Sequence, residues 1–383
     1  MSEAASPTPL PPAMLPSRSR RSPLGWLVRI LLFLFLACSV AFNILFLGLL
    51  ILFVTAGPSR PIIETFHSGK MESKNKIAVV RIEGVLMEGL TGFAQKQIDH
   101  AATDAAVKAV VVRINSPGGT ITSSDDLHHR LTQLRDGNAL KKAAAKPLVV
   151  SMASLAASGG YYIAMPAKTL FAEPSTATGS IGVYAALPDA TELSKKIGFG
   201  MRIIKAGEVK DSGSPFHEMT PHERELWQDM VDHSYLRFLE VVEQGRPALK
   251  GKLQEDISVN KSVPIRDDKT RSKHVQYVRY LADGGIFMAN DAQKYGLVDR
   301  LGYLEDAVQA AGQAAGLGED YKVVTYEKQE TVLNSLLGIK AQPPPSLLDP
   351  NHLAAGAVPR LWYLSPQADL AGVFAAMGKQ EGN

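Results

Sequence analysis

The chain begins with a stretch rich in Pro, Ser and Arg that has no periodicity, then turns apolar. From Ile30 to Val54 there is no charged residue, and only Ser39 and Asn43 interrupt apolar or small side chains. A helix needs about 20 such residues to cross a bilayer, so the run predicts one transmembrane helix. Cleaved secretory leaders have apolar cores of about 7–15 residues, and a longer run favours an uncleaved anchor over a leader. Arg18, Arg20, Arg21 and Arg29 cluster at its upstream end. The positive-inside rule then keeps the N-terminus cytoplasmic and places everything after about Gly57 on the outer, periplasmic or extracellular, side.

Beyond the anchor the pattern changes to short apolar runs alternating with helical spacing. Ile77–Ile82, Ala109–Ile114 and Pro147–Met152 read as strands, and the segments near Gly92–Val107 and Ser123–Leu134 carry apolar residues at helical intervals. Near-continuous apolar strands separated by helices point to an α/β fold of repeated βα units with buried parallel strands. Thr169–Ala172, Ser180–Ala185 and Met201–Lys205 are further expected strands. Gly160–Met165, Asp291–Tyr295 and Leu304–Ala315 are expected helices, with Gly296–Asp299 as a short strand between the last two. Thr220-Pro221-His222-Glu223 fits a capping box with proline at the first helical position, opening a long helix through Val242. Lys250–Lys273 is polar without clear periodicity and reads as an inserted surface segment before a helical Tyr277–Leu281. The resulting division is a flexible tail over 1–24, an anchor over 25–56 and a linker over 57–75. A folded domain over 76–338, with the insertion at about 250–273, precedes a C-terminal extension over 339–383. Whether Leu361–Leu364 and Leu370–Met377 pack on the domain, a neighbour or the membrane stays open.

Composition narrows the function classes. With 383 residues, 45% hydrophobic and 21% charged, the chain can bury a substantial core. Its net charge of +3 owes much to the arginines before the anchor, so a nucleic-acid footprint is not indicated. Cys38, inside the apolar run, is the one cysteine, which excludes an intramolecular disulfide and multi-cysteine metal sites. The nine histidines, among them His128, His129, His217 and His222, form no H-E-x-x-H pattern.

Three glycine-bearing segments follow or open strands: Asn115 to Gly119, Ala157 to Tyr162 and Thr178 to Gly182. In parallel α/β proteins, loops beyond the carboxyl ends of strands form the usual site, so the three could converge on one crevice. Ser158 would stand at a strand-to-helix junction, with the N–H groups of Gly118 and Gly159 able to stabilise an oxyanion. The same serine could equally be a helix cap. Lys210, in the loop from Ala206 to Ser212, is either a solvated lysine or a base, and it acts as a base only when its surroundings bring its pKa down toward neutrality.

The segments Ser116-Pro117-Gly118-Gly119, Ala157 through Tyr162, Gly179 through Val183, Ala206-Gly207 to Lys210-Asp211, and Gly296 through Gly302 occur in the order found in the signal peptide peptidase A family, which the chain resembles from about Ile77 to Gly316. The resemblance implies a ClpP/crotonase-like fold and peptide-bond hydrolysis by a Ser-Lys dyad. In that scheme Ser158 is the nucleophile, Lys210 the general base, Ser180 the serine that orients the lysine, and Gly118 and Gly159 the oxyanion donors. It further implies hydrophobic signal-peptide remnants as substrate, a seat in membrane lipid, a homo-oligomeric ring, and neither metal nor organic cofactor. The chain departs from the family pattern in the polar insertion and at Gly284-Gly285-Ile286-Phe287, where a basic residue followed by an aromatic is more usual. Two rival readings remain: a crotonase-like acyl-CoA enzyme, in which a Ser-Lys pair has no task, and an inactive membrane scaffold of the same fold.

Overall fold

The computed structural model describes residues 23–55, 62–140, 143–265, 268–328 and 360–364. The chain divides into two compact units, Met1–Pro61 and Ile62–Asn383. The first contributes one helix, α1 (Pro23–Thr55). Its 23-residue segment Trp26–Gly48 is long and apolar enough to span a bilayer. At 1.5 Å per residue it rises about 35 Å, against a hydrocarbon core of about 30 Å. The Asn43 amide donates to the Ser39 carbonyl at 2.7 Å, so the one strongly polar side chain in the run is satisfied within the helix.

The second unit follows the expected alternation. In chain order it comprises β1 (Ile62–Gly69), β2 (Lys76–Glu83), α2 (Gly92–Thr103), β3 (Val107–Ser116), β4 (Gly118–Thr120), α3 (Ile121–Asp136), β5 (Leu148–Ala157), α4 (Gly159–Tyr162), β6 (Thr169–Ala172), β7 (Ala177–Gly179) and β8 (Tyr184–Ala186). There follow α5 (Thr191–Ile197), α6 (Pro221–Gly245), β9 (Ile257–Ile265), β10 (Asp268–Arg279), β11 (Ile286–Met288), α7 (Ala289–Lys294), β12 (Arg300–Leu301), α8 (Leu304–Ala314), β13 (Lys322–Lys328) and β14 (Arg360–Leu364). The main sheet runs β1-β13-β2-β3-β5-β6-β12, with β7 also beside β5 and β11 beside β7. The pairs from β13 through β12 are parallel, and β7 runs parallel to β5.

Burial on both faces explains why these strands read as continuous apolar runs. Ala78, Val80, Val110, Val112 and Val150 face one cluster, to which α2 and α3 contribute Ile98, Leu127 and Leu131. The alternate residues Ile77, Val79, Ala109, Val111 and Val149 face a second cluster with Ala307, Val308 and Ala311 of α8. The capping box opens α6 as expected: the Thr220 hydroxyl accepts from the Glu223 N–H and the Glu223 carboxylate accepts from the Thr220 N–H.

Several local expectations are corrected. Met201–Lys205 forms no strand; Ile204 is fully exposed and nothing pairs with the segment, so its apolar residues have no sheet to join. The expected strand Ser180–Ala185 is broken, because Ser180 takes a φ of 53° and pairing resumes only at Tyr184. The insertion is an ordered antiparallel hairpin, β9 with β10, and Tyr277, expected to be helical, pairs with Val259 inside it. β1 falls within the stretch expected as a linker and pairs antiparallel with β13. Leu370–Met377 and the tail 1–22 lie outside the described residues, whereas Leu361–Leu364 belong to β14.

Candidate active site

Strands β3 and β5 carry the two loops singled out by their glycines. Their register pairs Ser116 with Ala156, so Gly118 and Ser158 each stand two residues beyond one paired position. At the end of β5, Ser158 adopts φ 54° and ψ −118°, a conformation in which a Cβ is strained and glycine is preferred. Ser158 and Ser180 are the two non-glycine residues with positive φ among the described residues. Such backbone strain costs on the order of 1–3 kcal/mol and persists only where the surroundings impose it.

Those surroundings are specific. The Ser158 N–H donates to the Gly179 carbonyl at 2.7 Å, and its carbonyl accepts from Tyr161 and Tyr162 at 2.9 Å. Gly160 packs so tightly against β3 that a Cβ there would lie 2.6 Å from the Ser116 carbonyl oxygen. Ser158 is 1% exposed, and its Oγ is buried with no hydrogen-bond partner. A buried hydroxyl without a partner costs about 1–3 kcal/mol, so stability alone does not favour one here.

Gly118, at φ 97°, opens β4. Its N–H donates to Ser116 Oγ at 3.1 Å, and that hydroxyl donates to the Gly84 carbonyl at 2.7 Å. Ser116 therefore fixes the Gly118 loop, a role its place in the Ser-Pro-Gly-Gly motif did not disclose. Gly119 must remain glycine, since a Cβ would overlap the Leu86 carbonyl. Gly159 begins α4, whose first N–H groups have no intrahelical acceptor.

Ser180 follows Gly179, the residue that accepts from Ser158. Its Oγ donates to the Gly284 carbonyl at 3.0 Å and its N–H to the Gly285 carbonyl at 2.9 Å. Lys210 is exposed, in a turn where its N–H donates to the Gly207 carbonyl at 3.2 Å. The single chain thus brings Ser158, Gly159, Ser180 and Gly118 onto adjoining loops, while neither serine hydroxyl bonds the Lys210 amine. Trp227 Nε1 donates to Ser212 Oγ at 3.0 Å, which ties the Lys210 loop to α6. Beside Lys210, the Lys205 ammonium holds the Asp211 carboxyl below its ordinary range. His217, hydrogen-bonded to the Glu218 and Asp211 carbonyls, is held above its ordinary range. These groups line a cleft of about 430 Å³ that does not include Ser158. Asp211, His217 and Glu223 bring carboxylate and imidazole atoms together, but Lys205 and the capping box already engage the two acids.

At the departure Gly284-Gly285-Ile286-Phe287, Arg279 from β10 lies 3.7 Å from the Phe287 ring centroid and donates to the Ile286 carbonyl at 2.9 Å. A basic group next to this aromatic is therefore supplied from the hairpin.

A parallel sheet whose strand ends carry a strained, buried serine beside glycine loops is an arrangement found in hydrolases, and comparison with known proteins defines the class as peptidase. A profile of peptidase family S49 matches residues 140–257 and 268–318. A Synechocystis sp. protein that bears the name of a protease is 32% identical over 274 residues, covering 71% of this chain and 87% of that one. An Enterococcus faecium protein named for signal peptide peptidase A is 31% identical, covering 72% of this chain and 74% of that one. Protease 4 of Haemophilus influenzae is 31% identical over 65% of this chain, which spans only 36% of that longer protein. Among solved structures, a ClpP1 mutant of Listeria monocytogenes aligns with 60% of this chain and 94% of its own at 15% identity and a TM-score of 0.33. The chain belongs to peptidase family S49, among its relatives of the signal peptide peptidase A type.

Proposed function

We propose that this chain is a membrane-anchored serine endopeptidase in which Ser158 attacks the peptide carbonyl and Lys210 takes its proton. The observation that carries this reading is the Ser158 hydroxyl: buried, without a hydrogen-bond partner, and held on a strained backbone. A side chain kept at such cost is available to a reaction rather than to the fold.

In the proposed cycle the uncharged Lys210 amine accepts the Ser158 proton as Oγ bonds to the substrate carbonyl carbon. The N–H groups of Gly118 and Gly159 hold the resulting oxyanion, and that of Gly118 must turn from Ser116 Oγ to do so. Collapse expels the amine, which takes the proton from Lys210. Water then attacks the acyl-enzyme with Lys210 again as base. Ser180 exchanges its bond to Gly284 for one that steers the lysine. Because Lys210 is exposed and its amine does not bond Ser158 in one chain, its loop must close, or the neighbour in a homo-oligomeric ring must supply the amine. Hydrophobic signal-peptide remnants are the proposed substrates. Helix α1 is the proposed single-pass anchor, with the N-terminus cytoplasmic and the catalytic domain outside.

The test measures hydrolysis of a hydrophobic fluorogenic peptide and labelling by a fluorophosphonate probe. Ser158→Ala and Lys210→Ala should each lower kcat at least a thousandfold with folding intact, on the order of the loss seen when a nucleophile or its base is removed. Mixing the two inactive variants should restore partial activity if the dyad forms between subunits. Full hydrolysis by either variant alone overturns the assignment.

A further inference from the structure

The segment between α5 and α6 carries Lys210, and its own bonds are local, such as that from the Ser212 N–H to the Val209 carbonyl at 3.1 Å. Two side chains from later in the chain pin it. Trp227 of α6 holds Ser212, and His217 holds Asp211, the residue after Lys210. His217 Nε2 lies 3.1 Å from the Asp211 carbonyl oxygen, and Nδ1 lies 2.9 Å from the Glu218 carbonyl oxygen. A carbonyl oxygen can only accept, and a neutral imidazole has a single N–H. Both bonds exist together only when the ring is an imidazolium that donates from each nitrogen.

The surroundings favour that form. The Asp211 carboxylate stands 3.7 Å from Nε2 and the Glu223 carboxylate 3.9 Å. Lys205, Glu208 and His222 line the same cleft as the ring. The Lys205 ammonium pairs with Asp211 and donates to the Glu208 carbonyl at 2.6 Å, so its charge is directed at acceptors of its own. A second cleft that shares His217 adds Asp189, ahead of α5, and Arg224 of α6, while the Glu218 carboxylate pairs with Lys195 at 3.4 Å. With the Glu218 and Asp211 carbonyls holding the ring above its ordinary range, both bonds are complete below about pH 6.5 and one is lost as pH rises through the raised folded value.

We infer that His217 is a positioning residue for Lys210: its two donated bonds fasten the carbonyl beside Lys210 to the residues leading into α6, and so set the place from which the amine works. The inference rests on the proposal of Lys210 as general base. A base acts only within a narrow geometry, and a displacement near 1 Å costs about 100-fold in rate. The Asp211 carbonyl also accepts from the Ser214 N–H at 2.9 Å, so loss of the imidazolium loosens one corner of the loop without unfolding it. The rate is thereby tied to a proton that Lys210 does not carry.

The experiment measures kcat and KM for a hydrophobic fluorogenic peptide from about pH 6 to about pH 9, in the detergent-solubilised full chain and in its His217→Ala and His217→Arg variants. Each variant is read as a ratio to the parent at the same pH, because the general base is common to all three. At the acid end His217→Ala should have a kcat about 10- to 100-fold below the parent, with KM within about 2-fold. Arginine keeps its N–H donors and its charge at every pH, so His217→Arg should restore most of kcat there. At the alkaline end the parent, short of one bond, should fall behind His217→Arg by about 3- to 10-fold. A role in stability alone would lower the urea midpoint and leave both ratios constant across pH. Constant ratios, or a change confined to KM, overturn the positioning role while inactive Ser158→Ala and Lys210→Ala leave the dyad standing. Should His217→Ala fail to fold, a pH-independent ratio of His217→Arg to parent overturns it by itself. Full hydrolysis by Lys210→Ala removes the dyad and this inference with it.

Discussion

Removing the Ser158 hydroxyl should make the protein more stable while destroying its activity. Two separate costs meet at this residue. The first is the buried Oγ with no partner, worth about 1–3 kcal/mol, which Ser158→Ala removes at little expense in packing. The second is the backbone at φ 54° and ψ −118°, worth about 1–3 kcal/mol, which alanine retains and glycine relieves. Glycine gives back about 0.5–1 kcal/mol of that relief through the added freedom of its unfolded chain. Ser158→Ala should therefore stabilise by about 1–2 kcal/mol and Ser158→Gly by about 1 kcal/mol more. With an m-value near 3 kcal/mol/M, the urea midpoint should rise by about 0.3–0.7 M for alanine and further for glycine. The assay is urea unfolding followed by intrinsic fluorescence, with hydrolysis measured on the same samples. An alanine variant that unfolds at lower urea than the parent would show that the hydroxyl has a partner in the folded protein and refute the reasoning. A glycine variant less stable than alanine would refute the strain.

Two further outcomes follow from other parts of the fold. Gly119→Ala forces a Cβ into the Leu86 carbonyl, so it should cost at least 1–3 kcal/mol in urea unfolding and abolish hydrolysis by displacing β4; an unchanged midpoint contradicts the close approach. His128, whose ring meets Tyr162 edge-on at 5.2 Å, is pushed down to about 4 by burial, with Asp125 opposing and Arg237, Arg135 and His129 assisting. The unfolded chain protonates first on acidification, so His128's contribution is complete above about pH 6.5 and is lost as pH falls toward 4. The loss is on the order of 3 kcal/mol, and His128→Phe should flatten that slope; an equally steep variant refutes the assignment.

The parts of the fold legible in the sequence are those where one local rule decides the outcome. β2, β3 and β5 are buried on both faces, so their apolar runs could be read without knowing their neighbours. Thr220 and Glu223 cap α6 through contacts three residues apart. Where distant pairing decides, the reading failed. Met201–Lys205 has strand-like residues and no partner, whereas the polar β9 and β10 form a hairpin because they pair with each other. β14 pairs with strands more than 170 residues away, and no pattern in five residues foretells that. The site divides in the same way. Gly159 and Gly160 after Ser158 mark a tight turn, but the positive φ falls on Ser158 itself, which no residue pattern announced. The link to Lys210 is not a matter of spacing at all, since the lysine is exposed and neither Ser158 nor Ser180 bonds its amine in a single chain.

β14 pairs with β4 on one side and β8 on the other, and those two strands are not paired with each other, so the three-stranded sheet they form holds together only while Arg360–Leu364 is extended at about 3.3 Å per residue. Both partners run antiparallel to it, which fixes its polarity: reversed, it would reproduce neither ladder. Removing these five residues would leave two facing edges with unpaired backbone N–H and C=O groups.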